Sequence, residues 1–381
     1  MTETEKRCWA EISPENLLHN VRALRAALPA GCRFLGVVKA DAYGHGAVET
    51  AKLLEGAGAD YLAVACLDEA LELRANGVTM PVLILGHSSA AYTETLIEHD
   101  ITQAVAGFEE ARAFSEAAIR AGGTLRVHMA VDTGMSRLGF LCTGKNFDRG
   151  VSELAHACSL PGLDAEGVFT HFAVADEPGE ENERFTREQY RLFTAAIEAA
   201  ERQGARFAIR HCMNSGALLH YPEFALDMAR PGLLLYGYGD TEGKLGLRPC
   251  MRLVTRLLTV KTLSPGASVS YGRRFTAQRE TRLGVLGIGY ADGLPRLCSN
   301  RCAFAVAGGM APQRGSICMD MCMLDLTELP EAEPGDEVEI FGPAADLNAL
   351  SEAAQTIPYE LLCAVSKRVP RVIKNFSPYR V

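Results

Sequence analysis

The chain has 381 residues, 48% hydrophobic and 22% charged, with a formal net charge of −9 at pH 7. That acidic balance argues against nucleic acid as the main partner, and no uninterrupted apolar stretch reaches the roughly 20 residues of a bilayer-spanning helix. The first seven residues are polar and lack an apolar signal core, and the twelve cysteines are scattered rather than densely spaced, so a reducing cytoplasm is the expected compartment.

From about residue 10 to 240 the pattern alternates. Apolar runs at 34–39, 61–65, 82–86, 101–106, 125–132, 163–171, 207–214 and 224–230 read as strands. Amphipathic stretches at 14–28, 47–57, 108–121 and 184–203, with shorter ones at 68–76 and 90–99, read as helices. Gly58, Gly77, Gly122 and Gly204 punctuate their ends. Strand–helix alternation predicts an α/β fold with a parallel sheet, and eight units predict a closed (β/α)8 TIM-type barrel over residues 1–240.

After Tyr236 the character changes. Residues 237–243 resemble a linker. Beyond them, short runs at 253–263, 281–290, 302–307, 319–326 and 337–341 read as strands joined by turns such as Ser264-Pro265-Gly266. One helix is expected at 346–355. Residues 241–381 therefore read as a second, mainly β domain. Cys298/Cys302 and Cys318/Cys322 share a spacing of four, but their strand-like setting without neighbouring histidines reads as buried thiols rather than a metal site.

A barrel of this type gathers its active site at the C-terminal strand ends. The first predicted strand ends in Lys39, followed by Tyr43. A charged amine among so many apolar residues is costly to bury. Lys39 either marks where the strand leaves the core or has a depressed pKa suited to a Schiff base with an aldehyde. The other ends carry Asp132 to Gly139 with Arg137, Thr170-His171-Phe172, His211 to Gly216 with Asn214 and Ser215, and Arg230-Pro231-Gly232. Each has a plain structural reading. Together they place an amine, two guanidinium groups, an imidazole and a small-polar loop at one mouth. Pyridoxal phosphate needs such a set: a lysine for its aldehyde, donors for its phosphate and a partner for its ring nitrogen. A cofactor-free phosphosugar enzyme would use the same phosphate site but gives no reason for Lys39 and Arg230 together.

Val38-Lys39-Ala40-Asp41-Ala42-Tyr43-Gly44-His45-Gly46 resembles the signature of the alanine racemase family. The resemblance continues in order through Asp132-Thr133-Gly134-Met135, Thr170-His171-Phe172, Asn214-Ser215, Arg230-Pro231-Gly232, Val269-Ser270-Tyr271-Gly272, Gly289 to Gly293, Cys318-Met319-Asp320 and Arg368 to Arg371. It implies a pyridoxal-phosphate-dependent amino-acid racemase that supplies D-alanine for cell-wall peptidoglycan. It further implies a head-to-tail homodimer with shared sites, acting on a small-molecule amino acid. Lys39 would carry the cofactor and serve as one base; Tyr271, from the second subunit, would be the other. Two fixed bases suit racemisation, because the proton leaves one face and returns on the other. Tyrosine has a reference pKa of about 10 and needs help, which His171 backed by Arg230 would give.

The resemblance also implies Arg230 at the ring nitrogen, disfavouring its protonation. Phosphate and cofactor contacts would come from Tyr43, His171, Asn214, Ser215, Gly232, Leu233 and Tyr359. Arg137 would face the cofactor's phenolic oxygen and, with Met319 and Asp320, meet the substrate, with Tyr290 on its approach path. Tyr359 and Met319 would keep the pocket small. One position departs from the family: many members carry a lysine, often carbamylated, where this chain has Ala130. A serine-preferring racemase is the nearest alternative, since a small pocket rejects one hydroxyl weakly; membrane-bound serine racemases carry a long transmembrane portion absent here. A non-catalytic pyridoxal-phosphate-binding protein is the alternative from another class, and would resemble the first domain only.

Overall fold

Eight parallel strands follow one another around a barrel in the computed structural model, which describes residues 7–375; the polar segment 1–6 considered above lies outside the described residues. They are Arg33–Val37, Tyr61–Val64, Val82–Ile84, Ile101–Val105, Leu125–Asp132, Leu163–Phe169, Ile209–His211 and Met228–Ala229. Tyr61–Val64, Val82–Ile84 and Ile101–Val105 are buried along their whole length, as strands covered on both faces must be. The last strand pairs with the first through Met228↔Arg33 and Ala229↔Phe34. It meets the seventh without a regular ladder, through Asp227 N to Arg210 O at 3.0 Å, Arg210 N to Asp227 Oδ2 at 2.8 Å and Arg230 N to Met213 O at 2.9 Å. Closure is thus nearly complete, and the last of these bonds sets Arg230 beside the seventh strand.

Helices cover the outside. Pro14–Ala27 is capped by Ser13, whose Oγ accepts from Asn16 N, and has proline in its first turn. The sequence reading missed three helices. Phe147–Cys158 buries small and medium residues (Gly150, Val151, Leu154, Ala155, Ala157), which weakens its apolar signal. Ser215–His220 and Pro358–Ala364 are too short for periodicity to reveal.

The second layer is a sheet built on the long strand Met251–Leu263. One strand in it comes from the other end of the chain. Cys8–Ile12 runs antiparallel to Met251–Leu263 and parallel to Arg371–Ile373. Residues 8–12 therefore belong to the second sheet, not to the barrel that the 1–240 boundary assigned them to. The strand pairs along both edges there, and its one buried charge finds counter-charges. Glu11 is fully buried, and its carboxylate is met by Arg252 (3.0 Å), Lys374 (2.7 Å) and Trp9 Nε1 (3.1 Å), all in this sheet or next to it.

Two expected strands are shorter than the apolar runs suggested. The run at 281–290 is a strand only over Thr281–Leu286, and that at 319–326 only over Cys322–Asp325. At Gly289 a Cβ would lie 2.3 Å from Cys318 O and 2.4 Å from Met319 O. Two loops cross there in close backbone contact, which carries Tyr290 and Met319 out of the sheet. Cys298 and Cys322 are buried, Cys302 and Cys318 half-buried. Among the described residues no group of three or more His, Cys, Asp or Glu is placed to hold a metal ion, and no helix is long and apolar enough to cross a membrane.

Candidate active site

The barrel's first strand ends at Val37, and Lys39 opens a turn of unusual hand. Ala40, Asp41, Ala42 and Tyr43 all sit near φ +53°, a left-handed turn of non-glycine residues. Such residues cost about 1–2 kcal/mol each, so the turn must be held by its surroundings. Ala40 N donates to Glu69 Oε1 at 2.7 Å, Ala47 N to Asp41 Oδ1 at 2.8 Å, and Arg371 Nε to Gly44 O at 2.8 Å. The turn swings Tyr43 inward and leaves Lys39 at the barrel mouth.

Lys39, Arg137, His171 and Arg230 line one cavity of about 270 Å³ at that mouth, with Ala130 and Phe169 in its floor. Among the described residues no hydrogen bond or ion pair holds the Lys39 amine. Burial pushes its pKa down, and the Arg137 and Arg230 charges push the same way, against the pull of Glu69. Arg137 is exposed and also without a partner among the described residues. His171 is driven down to about 3 by burial and by Arg230, Arg137 and Lys39, so its ring is neutral at physiological pH.

Arg230 is the most constrained of these groups. It is 3% exposed. Its Nη1 lies 2.8 Å from His211 Nδ1, and its Nη2 donates to Thr170 O at 2.8 Å and Cys212 O at 3.3 Å. Nη2 also faces His171 Nδ1 at 3.5 Å. A guanidinium only donates, so both imidazoles present a lone pair to it and carry their proton on Nε2. Phe169 lies under the guanidinium, 5.4 Å from its centre.

A second group gathers beside the cavity. Ser215 Oγ accepts from Gly232 N at 2.9 Å and Leu234 N at 3.4 Å. The Gly232 amide is thus taken up inside the protein, whereas the sequence reading had offered it to a ligand. Accepting twice turns the Ser215 hydroxyl hydrogen outward. The Ser215 and Leu233 amides each open a helical turn and have no carbonyl within it to bond. A Cβ at Gly232 would lie 2.6 Å from Tyr43 Oη. The Tyr43 ring packs 5.9 Å from that of Tyr359. Asn214 caps the helix Ser215–His220, its Oδ1 accepting from Ala217 N at 2.9 Å. Tyr43, Ser215, Leu233 and Tyr359 therefore converge on one small cradle.

The remaining candidates lie apart. Tyr271 is 73% exposed, in the turn between Ser268–Val269 and Phe275–Thr276, a separate two-stranded sheet of the second domain, with its carbonyl held by Ser316 Oγ at 2.8 Å. Tyr290 and Met319 are exposed on the same domain, and Asp320 is paired with Arg368 at 2.8 Å. Not one of these four lines the barrel-mouth cavity. The sequence reading placed His211 at a strand end without giving it a role and missed His128 and Glu166; all three lie behind Arg230. Their signal was polar residues inside strands that are otherwise apolar.

The alanine racemase N-terminal domain family matches residues 12–240 and the alanine racemase C-terminal domain family residues 250–373. A protein of Desulfovibrio desulfuricans named alanine racemase is 43% identical over 98% of this chain and 99% of its own length. The crystal structure of alanine racemase from D-cycloserine-producing Streptomyces lavendulae superposes with a TM-score of 0.90, 38% identity, and 98% and 99% of the two chains covered. The Clostridium difficile alanine racemase in complex with cycloserine gives 0.86, 35% identity, and coverage of 97% and 96%. With matches running through both domains, and through the barrel mouth as well as the second sheet, the chain belongs to the alanine racemase family.

Proposed function

We propose that this protein interconverts L- and D-alanine with pyridoxal phosphate held at the barrel mouth, and that two copies assemble head to tail to complete each site. The observation that carries the reading is an unpaired, depressed lysine amine in a cation-lined cavity beside a small donor cradle. The residues fit the cofactor. The cradle is kept open by a glycine whose Cβ would collide with Tyr43 Oη, and its donors (the Tyr43, Ser215 and Tyr359 hydroxyls, the Leu233 amide) suit a phosphate. When bound, pyridoxal phosphate would supply the aldehyde that takes an amine and a conjugated ring that draws electrons from the substrate α-carbon.

This chain's own residues would do the rest. The Lys39 amine, whose pKa burial and two guanidinium groups lower, would accept and return a proton on one face. Tyr271 Oη of the second copy serves the other face. Arg230 would present a fixed positive charge to the bound cofactor and so disfavour protonation of its ring nitrogen. Neutral His171 would offer its Nε2–H to the Tyr271 hydroxyl of the second copy. Arg137, exposed at the mouth and without a partner among the described residues, would attract the substrate carboxylate, with Met319 and Asp320 brought to it on the second domain of the other copy. Ala130, in the same cavity lining, offers Arg137 no counter-charge of its own. Supply of D-alanine for peptidoglycan, in the cytoplasm, is the role that follows.

The test is chiral. Purified protein is incubated with L-alanine, and in parallel with L-serine, and the D-isomer is measured with a D-amino-acid oxidase. D-alanine formed faster than D-serine is expected. Cofactor binding without any D-isomer would favour a non-catalytic carrier instead.

A further inference from the structure

Behind Arg230 a chain of hydrogen bonds crosses the barrel core and ends on a carboxylate. Arg230 Nη1 lies 2.8 Å from His211 Nδ1, His211 Nε2 lies 2.8 Å from His128 Nδ1, and His128 Nε2 lies 3.1 Å from Glu166 Oε2. His128 and His211 are fully buried. Glu166 reaches solvent in part, at the opposite end of the barrel, where Tyr61 donates to it and Arg126 Nε lies 3.9 Å away.

The donors and acceptors along this chain permit one direction only. Arg230 can only donate, so His211 accepts at Nδ1 and carries its proton on Nε2. That proton goes to His128 Nδ1, so His128 in turn carries its proton on Nε2 and gives it to the carboxylate. Reversing either imidazole would set two donors or two acceptors face to face in a buried site, at the cost of an unmade hydrogen bond. Burial lowers the pKa of both rings, keeping them neutral.

The backbone is arranged to make this contact. Arg126 pairs with Asp164 and His128 with Gly167, so two residues, Ala165 and Glu166, oppose the single Val127. That is a β-bulge in a parallel pair, which is rare and re-aims a side chain. At Gly167 a Cβ would lie 2.6 Å from His128 Cε1 and Nδ1, so only glycine leaves room for the ring. Among the described residues no carboxylate pairs with Arg230 directly. Its nearest negative end along the hydrogen bonds is Glu166.

We infer that Glu166 is a positioning residue for Arg230: through His128 and His211 it supplies the distant counter-charge and locks the proton placement that holds the guanidinium toward the cofactor ring. This rests on the racemase reading above. It adds a device at the far end of the barrel that works without touching substrate or cofactor.

Glu166→Gln tests it, since glutamine keeps the shape and one acceptor but removes the charge. Expected is a drop in kcat of about fivefold or more in both directions with KM little changed, the scale of coupling within one network. In an Arg230→Lys background, where the guanidinium fork is gone, the same change should cost much less. Equal fractional losses in both backgrounds, or no loss in either, would overturn the inference. A readout independent of turnover is the nitrogen-15 spectrum of histidine-labelled holoenzyme. His128 and His211 should both be neutral and protonated on Nε2; a proton on Nδ1 of either refutes the chain. Racemisation by the unaltered enzyme is the control: if it fails, the racemase reading falls, whereas an unaffected Glu166→Gln enzyme removes only this inference.

Discussion

Gly232→Ala probes the cradle directly. The added methyl would sit 2.6 Å from Tyr43 Oη and 3.9 Å from Ser215 Oγ. Tyr43 has little freedom to retreat. It is 7% exposed, its ring lies 5.1 Å from Tyr236 and 5.9 Å from Tyr359, and Tyr236 is itself anchored by a 2.8 Å bond to Val37 O. Forcing a methyl into such a place costs about 1–3 kcal/mol. If the cradle holds the phosphate, that strain falls mainly on binding, because the hydroxyl displaced is one that would touch the ligand. At 1.4 kcal/mol per tenfold, cofactor affinity should weaken by about 5- to 150-fold. Cofactor-free protein is titrated with pyridoxal phosphate and followed by visible absorbance, alongside a thermal melt without cofactor. A lowered melting temperature with unchanged affinity would show that Gly232 serves packing alone and would refute the phosphate assignment.

Lys39→Ala should abolish both racemisation and the visible absorbance of protein-bound cofactor; full retention of that absorbance would remove Lys39 from its role. Tyr271→Phe should slow racemisation by about 10²–10⁴-fold, the usual worth of a positioned acid–base group, while leaving that absorbance in place. Mixing these two inactive variants tests the shared site: each mixed dimer regains one intact site, so about a quarter of wild-type activity should return after subunit exchange. No recovery, with exchange verified by mass, would show that Tyr271 acts within its own chain. Acid should destabilise the fold. His45 and His171 are held near 4 and 3 in the folded protein against about 6.5 unfolded, so the unfolded chain binds more protons and stability falls as pH drops through that window. Each contributes on the order of 2 kcal/mol of loss by pH 5. A melting temperature equal or higher at pH 5 than at pH 7 would contradict this.

Much was legible in order along the chain. The eight apolar runs and their glycine stops mark out barrel strands because a parallel sheet buried on both faces demands near-continuous apolar sequence. Lys39 stood out for the same reason: a charge at the end of such a run needs explaining. The donors of the cradle follow from local chemistry, since Ser215 and Leu233 begin turns whose first amides have no partner within the turn.

Other features arise only when distant segments meet. Residues 8–12 fall inside the first predicted domain, yet they join the second sheet, where Glu11 finds Arg252 and Lys374, 241 and 363 residues away. Gly232 is consumed by Ser215 Oγ rather than offered to a ligand, a contact across seventeen positions. The separation of Tyr271 from Lys39 cannot be read from spacing, since it depends on how a second sheet stands against a barrel. The path from Arg230 to Glu166 is likewise written on four different strands or strand ends, and a one-residue bulge decides that Glu166 faces His128 at all. Periodicity reports which face of an element is buried; only tertiary packing decides which buried polar groups find one another, because a hydrogen bond forms between atoms about 3 Å apart in space whatever their distance along the chain.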